Sequence, residues 1–175
     1  MGERLRCAGL IAGVWLLLVA TAPLAAETSI AVLDFELNDL TLQPNTPEEG
    51  ARTASIRPLL EQALAQAEEV RLVNIQPAAI TQANAGFGYL FDHPEVAADL
   101  GRQHHAEWIL VGRLHKPTFL FAYLMARLVD THTGVVAEDY VVEVKGQQAL
   151  VTAKGVERLA DKLLTRLAPA ASRSN

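Results

Sequence analysis

The sequence predicts a single α/β domain built on one mixed sheet of about five strands, parallel in its first half and an antiparallel meander in its second. Three observations predict it. Short β-branched and aromatic runs in the first half are separated by stretches of helical period. Three strand-like runs then follow one another with only turns between them. A last amphipathic stretch closes the chain.

In order, "SIAVLDFEL" (29–37) is an apolar, β-branched run and reads as a buried strand. "NDLTLQPNTPEEG" (38–50) holds two prolines and little periodicity, the composition of an exposed loop. From Ala51 the period becomes helical, with Ile56, Leu59, Leu60 and Leu64 on one stripe. "VRLVNI" (70–75) is a second short strand, and "QPAAITQANAGFG" a short helix opened by Pro77 and stopped near Gly86. Asp92 is placed to cap the next helix, with Glu95 as its reciprocal partner, Pro94 in the first turn, and Val96 and Leu100 facing the core.

The three later strands are 106–117, 118–130 and 134–146, separated by "HKP" and "DTHTG". Gly134 supplies the positive φ that a tight connection often needs. Both faces of 118–130 are apolar at period two: Phe119, Phe121, Tyr123 and Met125 on one, Leu120, Ala122, Leu124 and Ala126 on the other. That pattern predicts a central strand covered on both sides. Val156, Leu159, Leu163 and Leu167 then mark a helix that docks on the sheet, and the residues after it fray. Helical segments between the early strands demand crossover connections, hence parallel pairing; short turns between the late ones demand antiparallel pairing.

The first 26 residues carry Arg4 and Arg6, then an uncharged apolar run from Cys7 to the small residues Ala25 and Ala26. This is the make-up of a secretory signal peptide, removed before folding in the periplasm. An uncleaved inner-membrane anchor is the alternative, since the apolar run approaches the length that spans a bilayer. The expected organisation is a leader over 1–26, one domain over 27–169 and a disordered tail over 170–175. Without the leader, 149 residues remain, enough for one core. They carry 13 basic and 19 acidic groups, against the −5 of the whole chain, so nucleic acid and anionic lipid are poor partners. The single cysteine is Cys7, in the leader, which excludes a disulfide, a thiolate metal site and a cysteine nucleophile from the domain.

Candidate chemistry is sparse. Asp34, Glu36 and Asp39 cluster at the end of the first strand, where α/β folds place ligand contacts, and Asp34 and Glu36 share a face at period two. A carboxylate pair there is the chemistry of a hydrolase, but no cleft-forming or pKa-raising partner is evident beside it, and the plainer reading is a solvated strand exit. The five histidines have no metal-binding spacing. His115 and His132 both follow strands, so a metal-binding protein using them with Asp34 and Glu36 is the second reading. "AGFGYLF" has neither the lysine nor the spacing of a phosphate loop, and its Phe87, Tyr89 and Phe91 form a partner surface if exposed and a plug between helices if buried. No serine sits in a nucleophile turn.

Three phrases together, "IAVLDFELND", "AEWILVGRLHK" and "FAYLMARLVDTHTGVVAEDYVVEVKG", resemble a family of bacterial secreted proteins of unknown function. That family is distantly similar to the α/β domain of the curli-secretion lipoprotein CsgG and to the N-terminal domain of TolB. The resemblance runs through Leu100, Gly101 and Ala106, through Val111–Leu114, and through Leu124–Val136. Trp108 departs from it, standing where a smaller residue is usual. These positions are fold markers, and they carry over no catalytic residue and no cofactor. What the resemblance implies is a non-enzymatic periplasmic accessory or binding protein with an envelope protein partner, associated with oxidation systems of the quinoprotein alcohol dehydrogenase kind. A structural envelope component that forms homo-oligomers is a third reading.

Overall fold

The computed structural model describes residues 27–42, 44–145 and 149–168; the expected leader and the tail over 170–175 lie outside the described residues. The strands are β1 (Thr28–Val32), β2 (Glu36–Asp39), β3 (Val70–Leu72), β4 (Trp108–Lys116), β5 (Phe121–Asp130) and β6 (Val136–Lys145). The helices are α1 (Pro47–Ala54), α2 (Ile56–Leu64), α3 (Pro77–Ala83), α4 (Tyr89–Asp92), α5 (Pro94–Gln103) and α6 (Ala149–Leu167). The sheet runs β3-β1-β4-β5-β6, with β2 also paired to β4. β1, β2 and β3 pair in parallel, and β4, β5 and β6 form the antiparallel meander. The mixed architecture expected from the sequence is therefore the one observed, with six strands where about five are expected.

The sixth strand comes from a break in the first. β1 pairs with β4 as Val32↔Leu110, and β2 pairs with it as Glu36↔Arg113. Three residues separate the two pieces on one side and two on the other, so one residue bulges out between them. A one-residue insertion flips every later side chain to the opposite face. Ile30 and Val32 thus share a core with Phe35, not with Asp34. Gly112 of β4 makes room for that shift, because a Cβ there would run into the Phe35 ring.

Two cores flank the sheet. On one face Ile56, Leu60 and Leu64 of α2 and Val156, Leu159, Leu163 and Leu167 of α6 cover β1, β4, β5 and β6. On the other, Leu90 and Phe91 of α4 and Ala97, Ala98 and Leu100 of α5 cover Ala31, Leu33, Ile109 and Val111. All buried members of both cores lie between Ile30 and Leu167. No helix among the described residues is long and apolar enough to cross a membrane.

Three local expectations need correction. The segment 38–50 is not all loop: it contains the end of β2, and α1 begins at Pro47, where Thr46 caps it by accepting the Glu49 N–H at 3.4 Å. Asp92 does not cap α5; it ends α4, and His93 occupies the cap position without a side-chain bond. The doubly covered strands are β4, whose Ile109, Leu110, Val111 and Leu114 are all buried, and β1, whose Ile30 and Ala31 face opposite cores. On β5 the Ala122, Leu124, Ala126 and Leu128 face is closed, under α6; the other face is buried at Val129, with Tyr123 and Met125 half-buried and Phe121 exposed. The expected Asp130/Gly134 hairpin does form, with the Asp130 Oδ1 accepting the amides of His132 and Thr133 at 2.8 and 3.1 Å.

Candidate functional site

The acidic run at the end of β1 is divided by the bulge. Asp34 sits in the break, exposed, with Arg57 Nη1 of α2 at 3.5 Å. Glu36, one strand position into β2, turns to the face that carries α4, where its Oε2 accepts the Gly88 N–H at 2.7 Å. Gly88 holds φ at +77°, a conformation that L side chains rarely adopt, and this kink presents its amide to Glu36. The two carboxylates are therefore not a matched pair across a substrate. Each is committed to a different element. Both still line one cavity of about 150 Å³, with Leu33, Ile80, Asn84, Leu90 and Phe91. It lies beyond the carboxyl end of β1, where α1 and α2 leave toward one face and α3 arrives on the other, the usual place for binding in open α/β sheets.

The three aromatics of the 84–92 segment separate. Phe87 is 65% exposed, Tyr89 is half-buried with its ring 4.4 Å from that of His93, and Phe91 is 7% exposed. The Phe91 ring lies on two guanidinium groups, Arg113 at 3.7 Å and Arg127 at 4.4 Å. Arg127 also donates through Nη1 to the Phe91 carbonyl at 2.8 Å, and Arg113 Nη2 to Asp92 Oδ1 at 3.2 Å. So the segment is both plug and surface: Phe91 and Leu90 fill the core while Phe87 projects from it. Arg113, Arg127 and Asn84 belong to this site and escape the sequence reading. The signal for the arginines was present, since each interrupts an apolar strand and so marks a face that is not wholly core.

Asp39 lies elsewhere. Its side chain is enclosed on the α1/α6 side of the sheet, so it offers nothing to a partner. Lys116 Nζ approaches Asp39 Oδ2 at 3.4 Å and Glu49 Oε1 at 3.1 Å; Glu49 Oε2 takes Arg52 Nη1 at 3.3 Å, and Arg52 Nε donates to Thr152 Oγ1 at 2.7 Å. Two cations and two anions cancel, each side chain at most 5% exposed. Burial alone would push the Asp39 carboxyl up. Hydrogen bonds from Thr41, then the Lys116 charge and the Asn45 amide, outweigh it and hold the group below its ordinary value.

The histidines do not converge. His115 is near the far end of β4, where Asn38 Nδ2 donates to its Nδ1 at 3.1 Å. His132 follows Asp130, which pairs with Trp108 at the start of β4, so about 23 Å of strand separates the two. Among the described residues no three His, Cys, Asp or Glu side chains are grouped to hold a metal ion. A concavity of about 560 Å³ opens at that His132 end. Its polar groups serve the fold: Arg102 Nε donates to the Thr131 carbonyl at 2.9 Å, and Glu107 Oε2 accepts the Ser29 N–H at 2.8 Å.

Residues 28–164 match the family model DUF3280, described as "Protein of unknown function (DUF2380)". No curated protein matches. Among solved structures, LpoB of E. coli is 19% identical, the match covering 67% of this chain and 56% of LpoB at a TM-score of 0.49. The PelC dodecamer from Paraburkholderia phytofirmans is 14% identical over 82% of this chain and 88% of PelC, at 0.48. TolB from Acinetobacter baumannii is 12% identical over 81% of this chain and 28% of TolB, at 0.53. The chain thus spans little more than half of LpoB and under a third of TolB. At such identities the likeness is one of fold, and the TolB superposition supports the α/β architecture described above.

Proposed function

The chain belongs to the DUF3280 family, and from that premise we propose that it is a non-enzymatic periplasmic accessory protein that binds an envelope protein through the surface around Asp34, Glu36, Phe87, Tyr89 and Phe91. One observation carries the reading: Phe87 is a large exposed apolar side chain on a segment fixed on both sides of it. Asn84 Oδ1 accepts the Gly86 N–H at 3.2 Å, Glu36 accepts the Gly88 N–H at 2.7 Å, and Arg127 holds the Phe91 carbonyl. An aromatic presented on a fixed backbone loses little entropy on docking, which is the property of an interface anchor. The exposed Asp34 carboxylate beside the cavity adds a charged rim.

The catalytic alternative fares worse on geometry, because Asp34 and Glu36 are engaged by different elements and His115 and His132 stand at opposite ends of β4. For self-association through the free side of β6, Arg158 Nη2 of α6 already takes the Glu143 carbonyl at 2.6 Å, which blunts that edge. The specific partner proposed is an oxidation system of the quinoprotein alcohol dehydrogenase kind, on the strength of the sequence resemblance.

Affinity capture of the tagged protein from periplasmic extract, with mass spectrometry of proteins and metals, tests this. The wild type should retain a reproducible partner without stoichiometric metal. Phe87→Ser should lose that partner with its melting temperature unchanged. Capture indifferent to Phe87→Ser would move the binding surface elsewhere, and metal retained in place of a partner would overturn the reading.

A further inference from the structure

A second exposed apolar surface lies at the end of the sheet where β2 and β4 finish. Leu40 and Leu42 follow β2, at 63% and 94% exposure; Phe119, Leu120 and Phe121 make the β4–β5 connection, with Leu120 at 71%. The ladder brings the two segments together, since the Leu40 N–H donates to the Lys116 carbonyl at 3.0 Å. Thr118 Oγ1 accepts the amides of Leu120 and Phe121 at 3.3 and 3.2 Å, tying the turn back on itself. Of the charges nearest this tip, Lys116 and Asp39 are turned inward and paired, while Lys145, opposite Phe121 on β6, is exposed with Glu143 Oε1 at 3.5 Å. Residues 40–42 and 117–121 contain no ionisable side chain.

What covers such a tip is constrained by the rest of the molecule. The tip offers on the order of 500 Å² of apolar surface, below the roughly 800 Å² per partner of a standard protein interface. A bilayer surface sets no such minimum and no shape to match. The charge balance then selects the lipid: from residue 27 on, 19 acidic groups outnumber 13 basic ones and are repelled by an anionic surface, while the uncharged segments 40–42 and 117–121 carry no such penalty at a neutral one.

We propose that the Leu40–Leu42 and Phe119–Phe121 tip inserts shallowly into the surface of a zwitterionic bilayer, docking the domain on a membrane without spanning it. This is independent of the Phe87 surface, which lies on the 84–92 segment. Vesicle flotation of the chain from residue 27, which contains both cores entire, tests it. With phosphatidylethanolamine–phosphatidylcholine vesicles the wild type should float, and the Leu42→Ser, Leu120→Ser double variant should bind about tenfold less or weaker. Added phosphatidylglycerol should reduce binding at low salt. Should the double variant melt lower than the wild type, Leu42→Ser alone repeats the comparison at the most exposed position. A wild type that stays unbound, equal binding by the variant, or binding that rises with anionic lipid would each overturn the proposal. Self-association by sedimentation velocity that the variant abolishes, with no flotation, would overturn it in favour of a second copy.

Discussion

The β2–β4 ladder carries a polar assembly on each of its faces, and the two behave as opposites. On the α1/α6 side, Lys116, Asp39, Glu49 and Arg52 are sealed from water and sum to zero charge. On the α4 side, Glu36, Arg113, Arg127 and Asp92 surround Phe91, with Asp92 62% exposed and a cavity beside them. Residue types are similar, and the strand positions alternate along the same two strands. The difference is cover. Sealed charges contribute stability only as a complete set, because removing one strands its partner in low dielectric. Charges open to solvent are each worth little to the fold, and their remaining bonding capacity is available to a ligand.

The strongest way to break that contrast is Lys116→Ala. It leaves Asp39 and Glu49 buried with Arg52 as their nearest remaining cation, and the unfolding free energy from urea denaturation should fall by about 3–5 kcal/mol. A loss under about 1 kcal/mol would mean that water reaches the network and that it is not sealed.

Asp39→Asn sharpens the same point through pH. The folded Asp39 carboxyl titrates below its ordinary value, so on acidification the unfolded chain takes up the proton first. Its contribution is full above the ordinary value of 3.8 and is lost as pH falls through the lowered folded value. At pH 7 the variant should be less stable by about 2 kcal/mol, the range for hydrogen bonds to a charged group. The gap to wild type should close as pH is taken from 4 toward 2. A gap that stays constant over that range would show that Asp39 is not the group that links stability to acid.

How much of this was legible in the sequence follows from what each feature depends on. The hairpin at Asp130–Gly134 and the α2 and α6 stripes are local, so composition and period were enough. The bulge at 33–35 was not, since "IAVLDFEL" reads as continuous alternation and the extra residue exists only relative to β4. That one residue decides which face Glu36 takes, so the apparent Asp34/Glu36 pair was an artefact of counting along one strand. Burial of Lys116 was equally hidden: a lysine before a proline looks like a turn until Asp39 and Glu49 of α1 meet it. The Phe87, Tyr89 and Phe91 run reads as plug or patch, and it is divided between both because α4 is a single short turn.

The smallest expected effect is the fairest counterpart to Lys116→Ala. Arg113→Met removes a cation from the open assembly but keeps a long side chain to lie on Phe91. The guanidinium is 3.7 Å from the ring and its ion pair is with an exposed Asp92. Arg127 remains on the same ring at 4.4 Å, so the aromatic is not left bare. Stability should fall by about 1 kcal/mol, a cation–π contribution rather than a buried-charge one. A double-mutant cycle with Asp92→Asn should then give a coupling below about 0.5 kcal/mol. If Arg113→Met instead costs as much as Lys116→Ala, the α4 side is as sealed as the α1 side. The 84–92 segment would then be core throughout, and Phe87 would lose its standing as the anchor of a binding surface.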